Sequence, residues 1–154
     1  MKSITTGMFG LLALAAMLFS FTPRLGGEGF EIFINGKPVL KQYNKEMNEV
    51  KTLQASTFSS NDVLSIKYYH CGKVAKNRVV SIRDGQGRLL KEFRFRDAAG
   101  QMDEMSCGVK ELTVLKKPGT GTLQLYYTSS ELPEGRLLAA ISFSGDTGHA
   151  SAKR

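Results

Sequence analysis

The chain has 154 residues, and its 21 lysines and arginines against 14 acidic residues give a formal net charge of +7. Such a surplus would suggest a nucleic-acid partner in a cytosolic protein. Here the charges alternate in sign along segments such as 91–96, as they do on an ordinary solvated face. Beyond the first 21 residues, no apolar stretch approaches the roughly 20 residues that cross a bilayer. The bulk properties therefore predict a mature protein without a transmembrane span and without a nucleic-acid partner.

The N-terminus has the layout of a secretory signal peptide. One basic residue, Lys2, precedes an uncharged apolar stretch from Met8 to Phe21, and this stretch is too short for a membrane span. Cleavage after Ser20 is the best available site, although retention as an N-terminal anchor stays open. Cleavage there removes only Lys2 among the charged residues, so the net charge falls to +6 (20 basic minus 14 acidic). We predict export to the periplasm or the extracellular space.

The clearest local signal is a hairpin near the start of the mature chain. Two segments rich in β-branched and aromatic residues, 29–34 and 37–43, flank the dipeptide Asn35-Gly36. Asn-Gly accepts the positive φ angles of a two-residue type I′ turn, so these segments are predicted to pair as antiparallel strands.

Further strand segments follow, separated by turn residues. They lie at 50–53, 63–70, 78–83, 88–96, 109–115, 123–127 and 136–143. In 109–115 the apolar residues are spaced by three, so a helical turn is the alternative to a strand there. The period of two places Leu64, Ile66, Tyr68 and His70 on one face, Leu123, Leu125 and Tyr127 on another, and Leu137, Ala139, Ile141 and Phe143 on a third. The spacing predicts an all-β fold, an antiparallel β-sandwich of roughly seven to nine short strands, immunoglobulin-like in general architecture. The predicted organisation is a signal peptide over 1–20, a linker over 21–28, one domain over 29–143 and a disordered tail over 144–154.

Two cysteines, Cys71 and Cys107, follow the signal peptide. In an oxidising compartment an even cysteine count indicates a disulfide. Such a bond would stabilise the fold by about 3–4 kcal/mol in the chain-entropy model. We predict a Cys71–Cys107 disulfide.

Periplasmic copper binding is the alternative. Thioether, thiolate and imidazole ligands together suit Cu(I), and the chain offers His70, Cys71, Met102, Met105 and Cys107. A second histidine for such a site would have to be His149, in the predicted tail.

No catalytic residue can be assigned. Adjacent side chains of a strand point to opposite faces, so His70 is badly placed to activate Cys71. The chain has none of the common hydrolase, phosphate-binding or dinucleotide motifs. Its carboxylates offer no pair that stands out for glycan hydrolysis. The sequence therefore predicts no cofactor and favours a binding protein over an enzyme.

Three segments together with the signal peptide resemble small exported bacterial proteins of unknown function: FEIFINGKPVLKQY, YYHCG and MSCGVK. The resemblance implies an exported, disulfide-bonded protein and no particular activity. We expect a non-enzymatic module that binds a protein or glycan of the bacterial envelope through a sheet edge or through loops 72–77 and 97–106. The residues expected to contact the partner are Lys73, Lys76, Asn77 and Arg78.

Overall fold

The computed structural model describes residues 27–116 and 121–143. The predicted signal peptide, most of the linker, residues 117–120 and the predicted tail lie outside these residues. The domain boundaries at 20 and 144 therefore stay predictions.

Within the described residues, nine strands form two sheets. The strands are β1 (Glu28–Ile34), β2 (Lys37–Tyr43), β3 (Lys51–Gln54), β4 (Val63–His70), β5 (Val79–Arg83), β6 (Leu89–Arg94), β7 (Met105–Gly108), β8 (Thr122–Ser129) and β9 (Leu132–Ser142). Their order is β2-β1-β4-β7 in the first sheet and β3-β9-β8-β5-β6 in the second. The prediction of an all-β sandwich is confirmed. Because the strand order is not that of immunoglobulin domains, the likeness to them is one of architecture only.

One pair of strands departs from the predicted antiparallel pattern. β3 runs parallel to β9, with Leu53 opposite Ile141. The chain crosses from the first sheet to the second between β2 and β3. Because this crossing replaces a hairpin, β3 is free to pair with a strand far along the chain in the parallel sense.

The Asn35-Gly36 hairpin forms as predicted. Asn35 has φ 50° and Gly36 has φ 75°, the left-handed pair that a type I′ turn requires. The Asn35 side chain also binds the start of β4, since its Oδ1 accepts a hydrogen bond from the backbone N–H of Val63 at 2.9 Å. One residue thus fixes both the turn and the position of the next strand.

The core lies between the sheets and follows the predicted alternation in most strands. Leu64, Ile66 and Tyr68 are buried in β4. Their counterparts across the sandwich are Leu123, Leu125 and Tyr127, each 0% exposed. The sequence neighbours of the two core tyrosines point the other way, since Tyr69 and Tyr126 are only partly buried.

A helical turn, α1 (Val109–Thr113), occupies a segment that the sequence predicts to be a strand. This prediction is wrong, because the apolar residues there recur every third position. That spacing brings Val109 and Leu112 onto one helical face, where both are 1% exposed. α1 closes the side of the sandwich between β7 and β6, and Glu111 of α1 contacts Lys91 of β6 at 3.1 Å.

β9 corrects two further predictions. β9 begins at Leu132, earlier than the strand predicted over 136–143, because Ser129 and Leu132 are already paired across the preceding turn. Leu125 pairs with Ala139 and Tyr126 pairs with Leu137, so Leu138 is an extra residue of β9 between the two pairs. As a result, Leu138 and Ala139 are both 0% exposed, while Leu137 is only partly buried. A bulge of this kind inserts one residue and reverses the faces beyond it.

The described residues also contain two short 3-10 helices, Asn44–Asn48 and Ala55–Thr57. Met47 from the first of these is 6% exposed and belongs to the core. Within 27–116 and 121–143, none of the helices has the length and apolar character to cross a membrane.

Candidate functional site

Two loops at one end of the sandwich carry most of the residues predicted to bind a partner. They are 71–77, which follows β4, and 97–104, which follows β6; together they are the loop tip. The first begins with a tight turn in which Cys71 has φ 51° and Gly72 has φ 87°. The backbone N–H of Lys73 closes this turn by donating to the carbonyl of His70 at 3.1 Å.

The two loops are joined to each other by hydrogen bonds. The backbone N–H of Ala98 donates to the carbonyl of Ala75 at 2.8 Å. The backbone N–H of Asn77 donates to Oδ1 of Asp97 at 2.8 Å. Because a backbone acceptor of the first loop and a side-chain acceptor of the second are each hydrogen-bonded to the other loop, the two loops form one connected structure.

The turn between β8 and β9 supports the loop tip from the side. The backbone N–H of Ser130 donates to the carbonyl of Lys76 at 2.9 Å, and Nδ2 of Asn77 donates to Oγ of Ser130 at 2.8 Å. The side-chain amide of Asn77 therefore already donates one hydrogen bond within the protein, and that donor is not available to a binding partner.

Arg78 is wrongly predicted as a partner-binding residue. It is 3% exposed. Its Nε donates to the carbonyl of Arg96 at 3.0 Å and its Nη1 to the carbonyl of Asp103 at 2.9 Å. A guanidinium in this position holds the second loop from beneath. A sequence signal for this existed, since Arg78 shares the period of two with the buried Val80 and Ile82.

The charges of the loop tip are sorted by sign. Each acidic group of the loop tip has a partner within the protein: Asp97 and Asp103 accept hydrogen bonds from the loop backbone, and Oε2 of Glu104 lies 3.6 Å from Nζ of Lys67. Glu131 of the neighbouring β8–β9 turn accepts a hydrogen bond from the N–H of Lys76 at 2.9 Å. The backbone hydrogen bond from Ala99 and the nearby Arg78 guanidinium lower the pKa of Asp103.

The basic groups of the loop tip face outward. Lys73 and Lys76 are exposed, and neither forms a salt bridge within residues 27–116 and 121–143. Two large apolar side chains are exposed in the same loops, Val74 at 42% and Met102 at 52%. The loop tip thus offers unpaired cations beside exposed apolar surface.

The predicted Cys71–Cys107 disulfide is not present, and both cysteines are free thiols. Strand register explains why. Cys107 lies opposite Leu64 near the start of β4, whereas Cys71 follows the last residue of that strand. Seven residues of strand separate the two by about 23 Å at 3.3 Å per residue, and a disulfide needs Cα atoms within about 7 Å.

The residues proposed for copper binding are not brought together either. Cys107 and Met105 pair with the first half of β4, and Met105 is 2% exposed within the core. Cys71 and Met102 lie on the loop tip at the other end. Among the described residues, no group of three His, Cys, Asp or Glu side chains is arranged to hold a metal ion. Burial raises the pKa of the Cys107 thiol to about 11, which disfavours the thiolate that a metal requires.

His70 lies beneath the loop tip in a buried polar cluster that the sequence did not predict. Its Nε2 is 3.0 Å from Oη of Tyr127 and 3.4 Å from Oγ of Ser129. Its ring centroid lies 4.6 Å from that of Tyr68. Ser129 and His70 are 5% and 7% exposed, so a substrate cannot reach this serine and histidine in the folded state. We interpret the cluster as structural.

The His70 cluster predicts acid sensitivity. Burial, opposed by the charges of Glu131 and Glu28, lowers the pKa of His70 from its ordinary 6.5. Below pH 6.5 the unfolded chain therefore binds a proton that the folded protein resists, so the free energy of unfolding falls as the pH drops from 6.5 to the folded-state pKa. Urea unfolding between pH 7.5 and 5 measures this fall.

His70→Gln is the control for this prediction. Glutamine keeps a hydrogen-bonding amide but does not titrate, so the variant is expected to lose less stability than the parent protein over the same pH interval, whatever its stability at pH 7.5. Equal losses in both proteins would show that His70 does not cause the acid sensitivity.

Two comparisons with known proteins were made for the chain. A scan against protein-family models found no match, and neither did a search of the curated proteins. The functional conclusion therefore rests on the geometry and charges of the loop tip.

Proposed function

We propose that the protein is an exported, non-enzymatic binding module of the bacterial envelope whose loop tip binds an acidic protein surface. The sorted charges carry this proposal. Asp97, Asp103 and Glu131 accept hydrogen bonds from the loop backbone and Glu104 pairs with Lys67, while the ammonium groups of Lys73 and Lys76 form no salt bridge among the described residues. A surface whose cations are unpaired while its carboxylates are already bonded within the protein complements an anionic partner and speeds its encounter.

The order of the loop tip also supports binding. Its two loops and the adjacent turn are bonded to each other before any partner arrives, and Arg78 fixes the second loop from inside. A preorganised surface loses little conformational entropy on association, so more of its contact energy appears as affinity.

The exposed apolar residues favour a protein as the partner. Interfaces place apolar and aromatic side chains at the centre and polar groups at the rim. Val74 and Met102 supply apolar contact area in the same loops as the two lysines. Methionine adapts its shape to the surface that it meets.

Export is supported by the order of residues at the N-terminus. Lys2 followed by an uncharged apolar stretch of 14 residues is typical of a secretory signal. The copper alternative has no support from a ligand arrangement among the described residues.

Photocrosslinking in the producing bacterium tests this function. A photoreactive amino acid at Val74 is expected to form an adduct with one envelope protein, and mass spectrometry of the adduct should find a linked peptide rich in Asp and Glu. The same group at Val50, which is 52% exposed away from the loop tip, is the control position and should give no such adduct.

Charge reversal sharpens the test. The double substitution Lys73→Glu and Lys76→Glu should abolish the adduct at Val74. Lys37→Glu with Lys45→Glu reverses two exposed lysines elsewhere and should leave it intact. An adduct that survives reversal of the loop-tip lysines, or that forms equally from Val50, would contradict the proposal.

A further inference from the structure

The outer face of the first sheet carries two tyrosines across one row of residues. Gly29 of β1 lies opposite Tyr43 of β2 on one side and opposite Tyr69 of β4 on the other. The two tyrosine ring centroids are 5.8 Å apart with 50° between the ring planes. The rings therefore lean toward each other over the glycine and form one aromatic surface.

Glycine is needed at the centre of this row. A Cβ added to Gly29 would lie 2.2 Å from Cδ1 of Tyr43 and 2.8 Å from its Cε1, closer than any side chain can approach. The Tyr43 ring thus lies directly over the β1 backbone. The absence of a side chain at position 29 is what lets the aromatic surface lie against the sheet.

The next row of the same face alternates in charge. Glu31 lies opposite Lys41 and Lys67 in the two neighbouring strands. Nζ of Lys41 is 3.0 Å from Oε1 of Glu31, and Nζ of Lys67 is 3.6 Å from Oε2 of Glu104. The four formal charges sum to zero. The row therefore holds hydrogen-bond donors and acceptors side by side in fixed positions. Because its net charge is zero, it favours neither anionic nor cationic ligands.

Tyr43 links the two rows. Its hydroxyl donates a hydrogen bond to Oε1 of Glu31. Glu31 is 8% exposed although it lies on the outer face of the sheet. Burial opposes ionisation of Glu31, but the hydrogen bonds from Tyr43 and Lys41 outweigh it and lower the pKa of this carboxyl. Glu31 is therefore ionised and held in place at neutral pH.

We infer that this face, the residues Gly29, Glu31, Lys41, Tyr43, Lys67, Tyr69 and Glu104, is a binding site for an uncharged glycan chain. Tyrosine rings supply the flat apolar area that the carbon–hydrogen faces of sugar rings cover. The ammonium groups donate to hydroxyls, and the carboxylate of Glu104, which is 46% exposed, accepts from them. Since the polar row has no net charge, a neutral hydroxyl-rich chain matches it better than a polyanion does.

The chain's own N-terminal segment is the competing occupant. β1 begins at Glu28, one residue before the aromatic row, so the chain that precedes β1 is covalently joined beside this face. Occupation by that segment would block added glycan until the segment is removed.

Titration with two soluble probes, cellohexaose and chitohexaose, tests the inference. The chain has five tyrosines and no tryptophan, so the emission contains the signal of the two tyrosines at the site without a tryptophan background, and calorimetry gives the affinity. At least one hexasaccharide should bind, and Tyr69→Ala should weaken binding at least about tenfold, equivalent to about 1.4 kcal/mol. Gly29→Ala should do the same by displacing the Tyr43 ring.

Tyr126→Ala is the matched control. Tyr126 is a partly buried tyrosine in the second sheet, where the Arg83 guanidinium lies 4.4 Å from its ring centroid. Its loss should change the affinity less than about twofold, well under 1 kcal/mol. The loop-tip reversal of Lys73 and Lys76 should leave glycan binding unchanged, so this inference and the proposed function fail separately.

Three results would overturn the inference. The first is no binding of either hexasaccharide at millimolar concentration. The second is binding that Tyr69→Ala and Tyr126→Ala reduce equally. The third is binding that appears only after residues 21–27 are deleted, which would show that the chain itself covers the face.

Discussion

Replacement of Arg78 by methionine is expected to lower the free energy of unfolding by about 2–3 kcal/mol. This value is near the lower end of what breaking a buried ion pair costs, because the partner carboxylate of Asp103 is partly exposed. Methionine fills similar volume but leaves the carbonyl groups of Arg96 and Asp103 without their donor. Urea unfolding followed by circular dichroism gives the difference.

Arg96→Met is the matched control for this prediction. The Arg96 side chain is 81% exposed, and its Nη2 lies 4.0 Å from Oδ2 of the same Asp103. An exposed pair of this kind contributes less than about 1 kcal/mol. Equal costs for the two variants would mean that Arg78 does not hold the loop tip together.

The second large effect is expected in thiol reactivity. In protein purified without reductant, iodoacetamide should modify Cys71 under native conditions and both cysteines after denaturation. Cys71 is exposed, whereas Cys107 is partly buried and burial raises its pKa to about 11. The thiolate is the reacting species, so Cys107 reacts slowly until the fold opens.

Intact mass distinguishes the outcomes of this experiment. Cys71→Ser should leave almost no native reaction, while Cys107→Ser should react like the parent protein. A parent mass two hydrogens below the reduced value, with no adduct after denaturation, would establish the disulfide. It would also contradict the register that places Cys107 opposite Leu64.

Local patterns predicted the parts of the fold that depend on neighbouring residues. The Asn35-Gly36 turn follows from the φ angles that this dipeptide accepts, and the buried faces of β4 and β8 follow from alternation. The helical spacing of Val109 and Leu112 was visible as well, but the strand-rich surroundings favoured the wrong interpretation.

Features that depend on strand pairing could not be derived from the sequence. An even cysteine count contains no information on register, so it could not place Cys71 and Cys107 at opposite ends of β4. The His70 cluster joins residues 57 and 59 positions apart, and the aromatic row depends on which strands flank Gly29. Such contacts are fixed by tertiary packing rather than by local preference.

Loops 71–77 and 97–104 form one preorganised surface, and amide hydrogen exchange of the native protein tests this most directly. The backbone N–H groups of Asn77, Ala98 and Ser130 are donors in the bonds that join the loops to each other and to the β8–β9 turn. They should exchange at least about 100-fold more slowly than in an unstructured peptide. Exchange of all three at the unstructured rate would show that the loops are independent and mobile, and would contradict the claim.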